Sequence, residues 1–190
     1  MKGEGGKSHK GAGWRIRSTL KIFENPFFAV FEDDVIKPTG EDGKYATIKF
    51  NDGVAVLPID NEGNAYLTRQ FRYAIGRYDI EVLAGSIAGE GALEAAQRET
   101  KEELGIEAAE WIDVGIVHSL TSITQCTSRQ FIARELKFGN PNPEGTENIE
   151  PIKLTLPEAC RMVRNGEITD GDTCLLIMKA VALNEKNAEG

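Results

Sequence analysis

The 190-residue sequence predicts an α+β fold, or an α-β-α sandwich, in one domain with a small appendage. Three observations lead there. Short apolar and β-branched runs, mostly without alternation, fill the chain from Trp14 to about Val82, and three helix-spaced stretches come later. Hydrophobic residues make up 41% and charged residues 27%, enough to build a core and to cover it, which excludes wholesale disorder, a collagen-like chain and a coiled coil.

Taken in order, residues 1–13 are rich in Gly and Lys and are expected to lack fixed structure, as is a short tail over 184–190. Strands are expected over Trp14–Lys21, Phe28–Lys37, Tyr45–Phe50, Val54–Ile59, Ala65–Arg72 and Tyr78–Val82. Asn51-Asp52-Gly53 and Glu62-Gly63 between them tolerate positive φ and suit tight hairpins. A Gly-rich loop over 84–91 precedes a helix over Ala92–Leu104, which stops at Gly105. Two strands, Trp111–Val117 and Cys126–Leu136, lead to a polar loop over 139–150 and a short strand Ile152–Leu154. Thr155 is placed to cap a helix with Pro157 in its first turn, ending at Asn165, and Thr169 to cap a last helix through Leu175, Met178 and Val181.

The charge balance narrows the partners. Thirty Asp plus Glu against 22 Lys plus Arg, a net charge of -8, disfavours a nucleic-acid surface, which needs clustered Lys and Arg. No apolar run approaches the ~18–20 residues that span a bilayer, and Met1–Gly6 lacks a signal-peptide stretch, so a soluble, cytoplasmic protein is expected. Cys126, Cys160 and Cys174 are widely spaced and odd in number, and read as reduced thiols.

The helix Ala92–Leu104 carries the chemistry. At ~100° per residue, Glu99, Glu102 and Glu103 share one face, while Leu93, Ala96, Thr100 and Leu104 form a separate stripe that can pack on a sheet. Like charges at i,i+4 cost a few tenths of a kcal/mol. Arg98 can reach Glu102, but no Lys or Arg stands at the usual offset for Glu99 or Glu103. A divalent cation would resolve the repulsion. Mg²⁺ suits carboxylate oxygens and substrate phosphates, with Mn²⁺ as a substitute.

The order Glu90, seven residues, Arg98-Glu99, two residues, Glu102-Glu103, one residue, Gly105-Ile106 resembles the signature of the Nudix hydrolases. Six such residues meet by chance at one start position about once in 10⁷–10⁸. Gly85 stands five residues before Glu90, where the family has six, and Thr100 replaces a larger aliphatic residue. Thr68–Tyr73, Ile80–Gly85, Asn148–Glu150, Glu158-Ala159 and Gly166–Asp170 are similar to the ADP-ribose and nucleoside diphosphate sugar pyrophosphatase branch, so the resemblance covers about 22–182.

That resemblance implies a Nudix α-β-α sandwich with a mixed central sheet over residues 51–183. An N-terminal antiparallel strand region over 14–50 would precede it and form a homodimer. It implies that Glu99, Glu103 and the Ala84 carbonyl bind the metal, that Glu102 and Glu103 act in catalysis, and that Glu90 and Arg98 brace the site. The loop Pro143–Glu150 offers Glu144, Glu147 and Glu150 as general base, and Glu147 lines up best. Substrate contacts are expected from Arg72, Glu81 and Phe28 (or Phe27), with Arg72 on a phosphate. Where ADP-ribose enzymes commonly carry a Ser-Pro-Gly turn, this chain reads His118–Gln125, which favours a broader sugar range, GDP-mannose included. The expected reaction is metal-dependent hydrolysis of the pyrophosphate bond of nucleoside diphosphate sugars. The rivals are a Nudix hydrolase of nucleoside triphosphates, dinucleoside polyphosphates or capped RNA, and a non-catalytic nucleotide-sugar-binding domain.

Overall fold

In the computed structural model, which describes residues 8–9, 12–142 and 149–188, the chain divides into two units. Among the described residues the elements run β1 (Ser8–His9), β2 (Trp14–Glu24), β3 (Phe28–Ile36), β4 (Asp42–Phe50), β5 (Gly53–Pro58), β6 (Asn64–Arg72), β7 (Arg77–Glu81) and β8 (Leu83–Ser86). Then follow α1 (Ala92–Leu104), β9 (Ile106–His118), β10 (Thr124–Gln125), β11 (Thr127–Phe138), β12 (Glu150–Thr155), α2 (Leu156–Arg164) and α3 (Gly171–Ala188).

The first unit comprises the described chain up to Asn51 together with His118–Cys126. Its sheet has the order β1-β2-β3-β4-β10, with β2, β3 and β4 antiparallel and β10 parallel to β4. The excursion at His118–Cys126 interrupts what the sequence presents as a continuous stretch over 51–183. Ser8 and His9 pair with Arg15 and Trp14, so a strand forms inside the segment expected to lack structure.

The second unit is the sandwich. A four-stranded mixed sheet, β8-β5-β11-β9, sets β5 parallel to β11 and antiparallel to β8, and a three-stranded antiparallel sheet has the order β12-β6-β7. Strand β5 explains the missing alternation. Val54 and Val56 point to one face, where they meet Leu83, Phe131, Ala133 and the α1 residues Ala95 and Ala96. Ala55, Leu57 and Ile59 point to the other, where they meet Leu67, Val82, Ile132 and residues of α2 and α3 such as Leu156, Leu176 and Ile177. A strand covered by helices on both faces is apolar at every position. Each such side chain contributes ~1.5–3 kcal/mol on burial.

Helix α1 has its expected bounds, and Gly105 ends it at φ +66° with its N–H on the Lys101 carbonyl. Its packing face differs from expectation. Ala95, Ala96, Thr100 and Glu103 are buried, whereas Leu93 is exposed. Small alanines allow close approach to the sheet, and Glu103, seven residues after Ala96 and three after Thr100, falls on the same stripe. Two further elements, β8 and α3, depart from the sequence reading. Leu83–Ser86 is an edge strand rather than loop, held by backbone pairing of Ala84 and Gly85 with Ala55 and Val54. Helix α3 is capped by Asp170, whose Oδ2 accepts from the Thr173 N–H at 2.8 Å, not by Thr169. The same helix continues to Ala188, through most of the expected tail. Thr155 caps α2 as expected, accepting from the Glu158 N–H at 3.3 Å. Among the described residues no helix is long and apolar enough to cross a membrane.

Candidate active site

Arg98 stands at the centre of the acidic face of α1. Its Nε and Nη2 donate to Glu90 Oε1 at 3.0 and 2.8 Å, and its Nη1 donates to Glu99 Oε1 at 2.8 Å and to Glu102 Oε2 at 3.0 Å. Nη2 also donates to the Ser86 carbonyl at 3.2 Å, which ties the helix to β8. The long Arg98 side chain folds back on its neighbour Glu99, so Glu99 has a basic partner although no Lys or Arg stands at the usual helical offset from it. These carboxylates, Glu90 foremost, hold the guanidinium pKa above its ordinary value, so its charge is permanent.

Glu99 lies against the backbone of β8. A Cβ on Gly85 would stand 1.9 Å from both Cδ and Oε1 of Glu99, so only glycine permits this approach. Its carboxylate thus sits beside the strand residue that follows Ala84. Ala84 is itself exposed on an edge strand, where outward-facing backbone groups lack a ladder partner. Glu103 is 8% exposed, and its charge helps keep the Arg72 guanidinium protonated.

This donor set fits a hard divalent cation. All its members are oxygens, and one guanidinium against Glu90, Glu99 and Glu102 leaves two negative charges uncompensated before Glu103 is counted. Among the described residues no three acidic, His or Cys side chains are gathered into a ready-made cage, because Arg98 stands between the carboxylates.

Beside this face, an open cleft of about 730 Å³ is lined by Arg72, Ile75, Arg77, Asp79, Glu81, Thr169, Asp170 and Gly171. The β6–β7 hairpin supplies one wall, and the start of α3 the other. Asp79 and Glu81, two apart on β7, face the same side and are both buried, which demands partners. Glu81 receives a two-pronged bond from Arg72, Nε to Oε1 at 2.7 Å and Nη2 to Oε2 at 2.5 Å. Asp79 accepts from Thr169 Oγ1 at 2.7 Å and from the Ile80 N–H at 3.0 Å, and Arg77 bonds to Thr169 in turn. Glu81, then burial, then Asp170 and Glu103 bear on Arg72, and their net effect raises its pKa.

A helix of regularly placed glutamates braced by one arginine, lying against a glycine of an edge strand, is a family-level pattern. The NUDIX domain model matches residues 49–171. The chain belongs to the NUDIX family. It is 28% identical over 160 residues to the ADP-ribose pyrophosphatase of Bacillus subtilis (strain 168), covering 83% of this chain and 86% of that protein. To the ADP-ribose pyrophosphatase of Mycobacterium tuberculosis (strain ATCC 25618 / H37Rv) it is 29% identical over 157 residues, covering 80% and 76%. To the methanol dehydrogenase activator of Bacillus methanolicus it is 27% identical over 169 residues, covering 84% and 88%. A solved structure described as an ADP compounds hydrolase superposes with a TM-score of 0.84 at 18% identity, covering 95% of this chain and 98% of that one, which establishes the shared fold.

Within this NUDIX chain, the expected residues Glu90, Arg98, Glu99, Glu102 and Glu103 come together on α1 and its approach, with Ala84 beside them on β8. Arg72 and Glu81 meet in the cleft. Phe28 belongs to the first unit, where its half-buried ring packs between Phe23 and Phe50 at 5.6 Å from each, while Phe27 is exposed. Glu144 and Glu147 lie outside the described residues. Glu150 is described and pairs with Arg69 at 2.8 Å. Sequence reasoning overlooked Arg77, Asp79 and Asp170. The signal was available for one of them: Asp79-Ile80-Glu81 places two acids on one face of a strand.

Proposed function

We propose that this NUDIX hydrolase cleaves the pyrophosphate bond of nucleoside diphosphate sugars, ADP-ribose among them, releasing a nucleoside monophosphate and a sugar phosphate. One observation carries the reading: the Glu99 carboxylate lies against Gly85, beside Ala84, while Arg98 joins it to Glu90 and Glu102. The named relatives support ADP-ribose as a substrate.

Glu99, Glu103 and the Ala84 carbonyl would hold the cation, with Glu102 beside them; Mg²⁺ is the natural choice and Mn²⁺ a substitute. When bound, a divalent cation offsets repulsion between the site and the substrate's phosphates and polarises a phosphoryl oxygen. Arg98 keeps the glutamate heads in place. Arg72 exchanges part of its bond with Glu81 for a phosphate oxygen, a task suited to its planar fork. Glu102, 31% exposed and held by a single Arg98 nitrogen, takes the proton of the attacking water, with Glu147 as the alternative base. The first unit supports a homodimer, since Leu20, Ile22 and Phe23 on β2 are exposed apolar side chains.

Substituting Glu103→Gln tests the site: the variant keeps its fold and loses metal-dependent turnover. Unchanged turnover would refute the assignment. A panel of nucleotide sugars, nucleoside triphosphates and dinucleoside polyphosphates, read by product mass, tests the substrate class. A sugar phosphate product is expected, and turnover of triphosphates alone would overturn it. Tight binding of nucleotide sugars with no product would revive the non-catalytic reading.

A further inference from the structure

Strand β7 ends at Glu81 in the three-stranded sheet, and β8 begins at Leu83 in the four-stranded one. The peptide joining Glu81 to Val82 is therefore where the chain changes sheets. Pairing with β6 ends at Thr68 opposite Glu81, and pairing with β5 at Val56 opposite Leu83, so Val82 belongs to neither ladder. Glu81 and Val82 are both buried, and the Val82 N–H, outside both ladders, must be satisfied by another group. Two threonines bond to this peptide. The Thr68 hydroxyl donates to the Glu81 carbonyl at 3.3 Å, and the Val82 N–H donates to Thr173 Oγ1 at 2.9 Å. Thr68 is 2% exposed and Thr173 is 0% exposed.

The orientation of the second hydroxyl is fixed as well. Thr173 Oγ1 donates its one proton to Asp170 Oδ2 at 2.6 Å, the same oxygen that accepts the Thr173 N–H. An ionised carboxylate only accepts, which leaves a lone pair of Oγ1 for Val82. Asp170 in turn lines the cleft.

We infer that Thr68 and Thr173 are positioning residues for the hydrolysis. By clamping both polar groups of the Glu81–Val82 peptide, they set the Glu81 carboxylate that orients Arg72. Two residues further on they set the Ala84–Gly85 backbone against which Glu99 lies. The inference rests on the proposed reading of that site, and its test separates the two.

Thr173→Val keeps the shape and removes both bonds, and Thr173→Ser keeps the hydroxyl. Full-length T173V, T173S and T68V are titrated with Mn²⁺ by calorimetry and assayed on ADP-ribose, with E99Q alongside. T173V is expected to bind Mn²⁺ about tenfold more weakly and to lose kcat by about tenfold or more, T173S to stay within about threefold of wild type, and T68V to shift in the direction of T173V. Wild-type Mn²⁺ affinity and kcat in both valine variants would overturn the clamp. So would a T173S loss equal to that of T173V, which marks a steric effect, or failure of both valine variants to fold, which marks a purely structural role. If only T173V fails to fold, T68V decides. E99Q silent beside an intact T173V defeats the clamp alone; E99Q with wild-type binding and turnover defeats the site reading and the clamp with it.

Discussion

Alanine at position 85 probes the site with a single added carbon. Its Cβ would stand 1.9 Å from Cδ and Oε1 of Glu99 and 2.5 Å from Cγ. Carbon atoms rest ~3.5–4 Å apart, so the carboxylate must retreat by about 1.5–2 Å. The obstructing atoms end a flexible side chain, and a forced rotamer costs about 0.5–1.5 kcal/mol. For a chain of this size that lowers Tm by only a few degrees, on the order of 1–6 °C. The retreat breaks the 2.8 Å bond to Arg98 and removes Glu99 from the backbone of β8. Displacements of ~1 Å at a reacting centre cost about 10²-fold, equivalent to about 2.7 kcal/mol of barrier. Purified G85A, melted by circular dichroism and assayed on ADP-ribose with Mg²⁺, should fold and lose about two orders of magnitude in kcat. Wild-type kcat in a folded G85A would refute the placement of Glu99. A Tm drop of well over ten degrees would refute the premise that Glu99 alone gives way.

Replacing Arg98 with Ala should lower kcat and cation affinity about 10–100-fold, measured by titration and turnover. It should also lower Tm in cation-free buffer, because the guanidinium is two-thirds buried and its loss leaves Glu90, Glu99 and Glu102 to repel one another. Arg72→Lys retains a charge but not the fork, and should raise KM for ADP-ribose about tenfold while changing kcat less. Asp60 carries a pH-dependent share of stability. Burial opposes its charge, but bonds from Asn64, Tyr66 and Lys153 outweigh burial and hold its carboxyl well below the usual range. A depressed folded pKa adds stability above the unfolded value, near pH 4, that is lost as pH falls through the folded value. Urea unfolding should therefore find D60N about 1–2 kcal/mol less stable than wild type at pH 7, with the gap narrowing below about pH 4.

The helix α1 was legible because two periodicities met in it: a stripe over Leu93, Ala96, Thr100 and Leu104, and a run of acids too dense for an ordinary surface. Its C-terminal end follows from Gly105. What was not read was the helix's exact rotation. Glu103 lies about 20° from Ala96 around the helix, so it turns inward with Ala95, Ala96 and Thr100 rather than outward with Glu99 and Glu102. Strand β8 escaped notice for another reason. Ala84 and Gly85 have little strand propensity, and pairing with Val54 and Ala55 overrides it. The cleft is assembled from residues about 90 apart, Asp79 with Thr169, and no local pattern announces such a contact. The return of Thr124–Gln125 to pair with Ile48 and Lys49 is likewise a long-range event.

Arg98 within its ring of glutamates also separates two steps that acidic sites often couple. A bare cluster of carboxylates repels itself until an ion arrives, and its fold then depends on loading. Here the guanidinium already bridges Glu90, Glu99 and Glu102, so the native arrangement is reachable in ion-free solution. Chelation should silence turnover while stability falls only by the mass-action amount, RT ln(1 + [L]/Kd), and the melting midpoint shifts in proportion. Activity then follows the availability of the cation on the timescale of its exchange, with no refolding between the silent and the working protein.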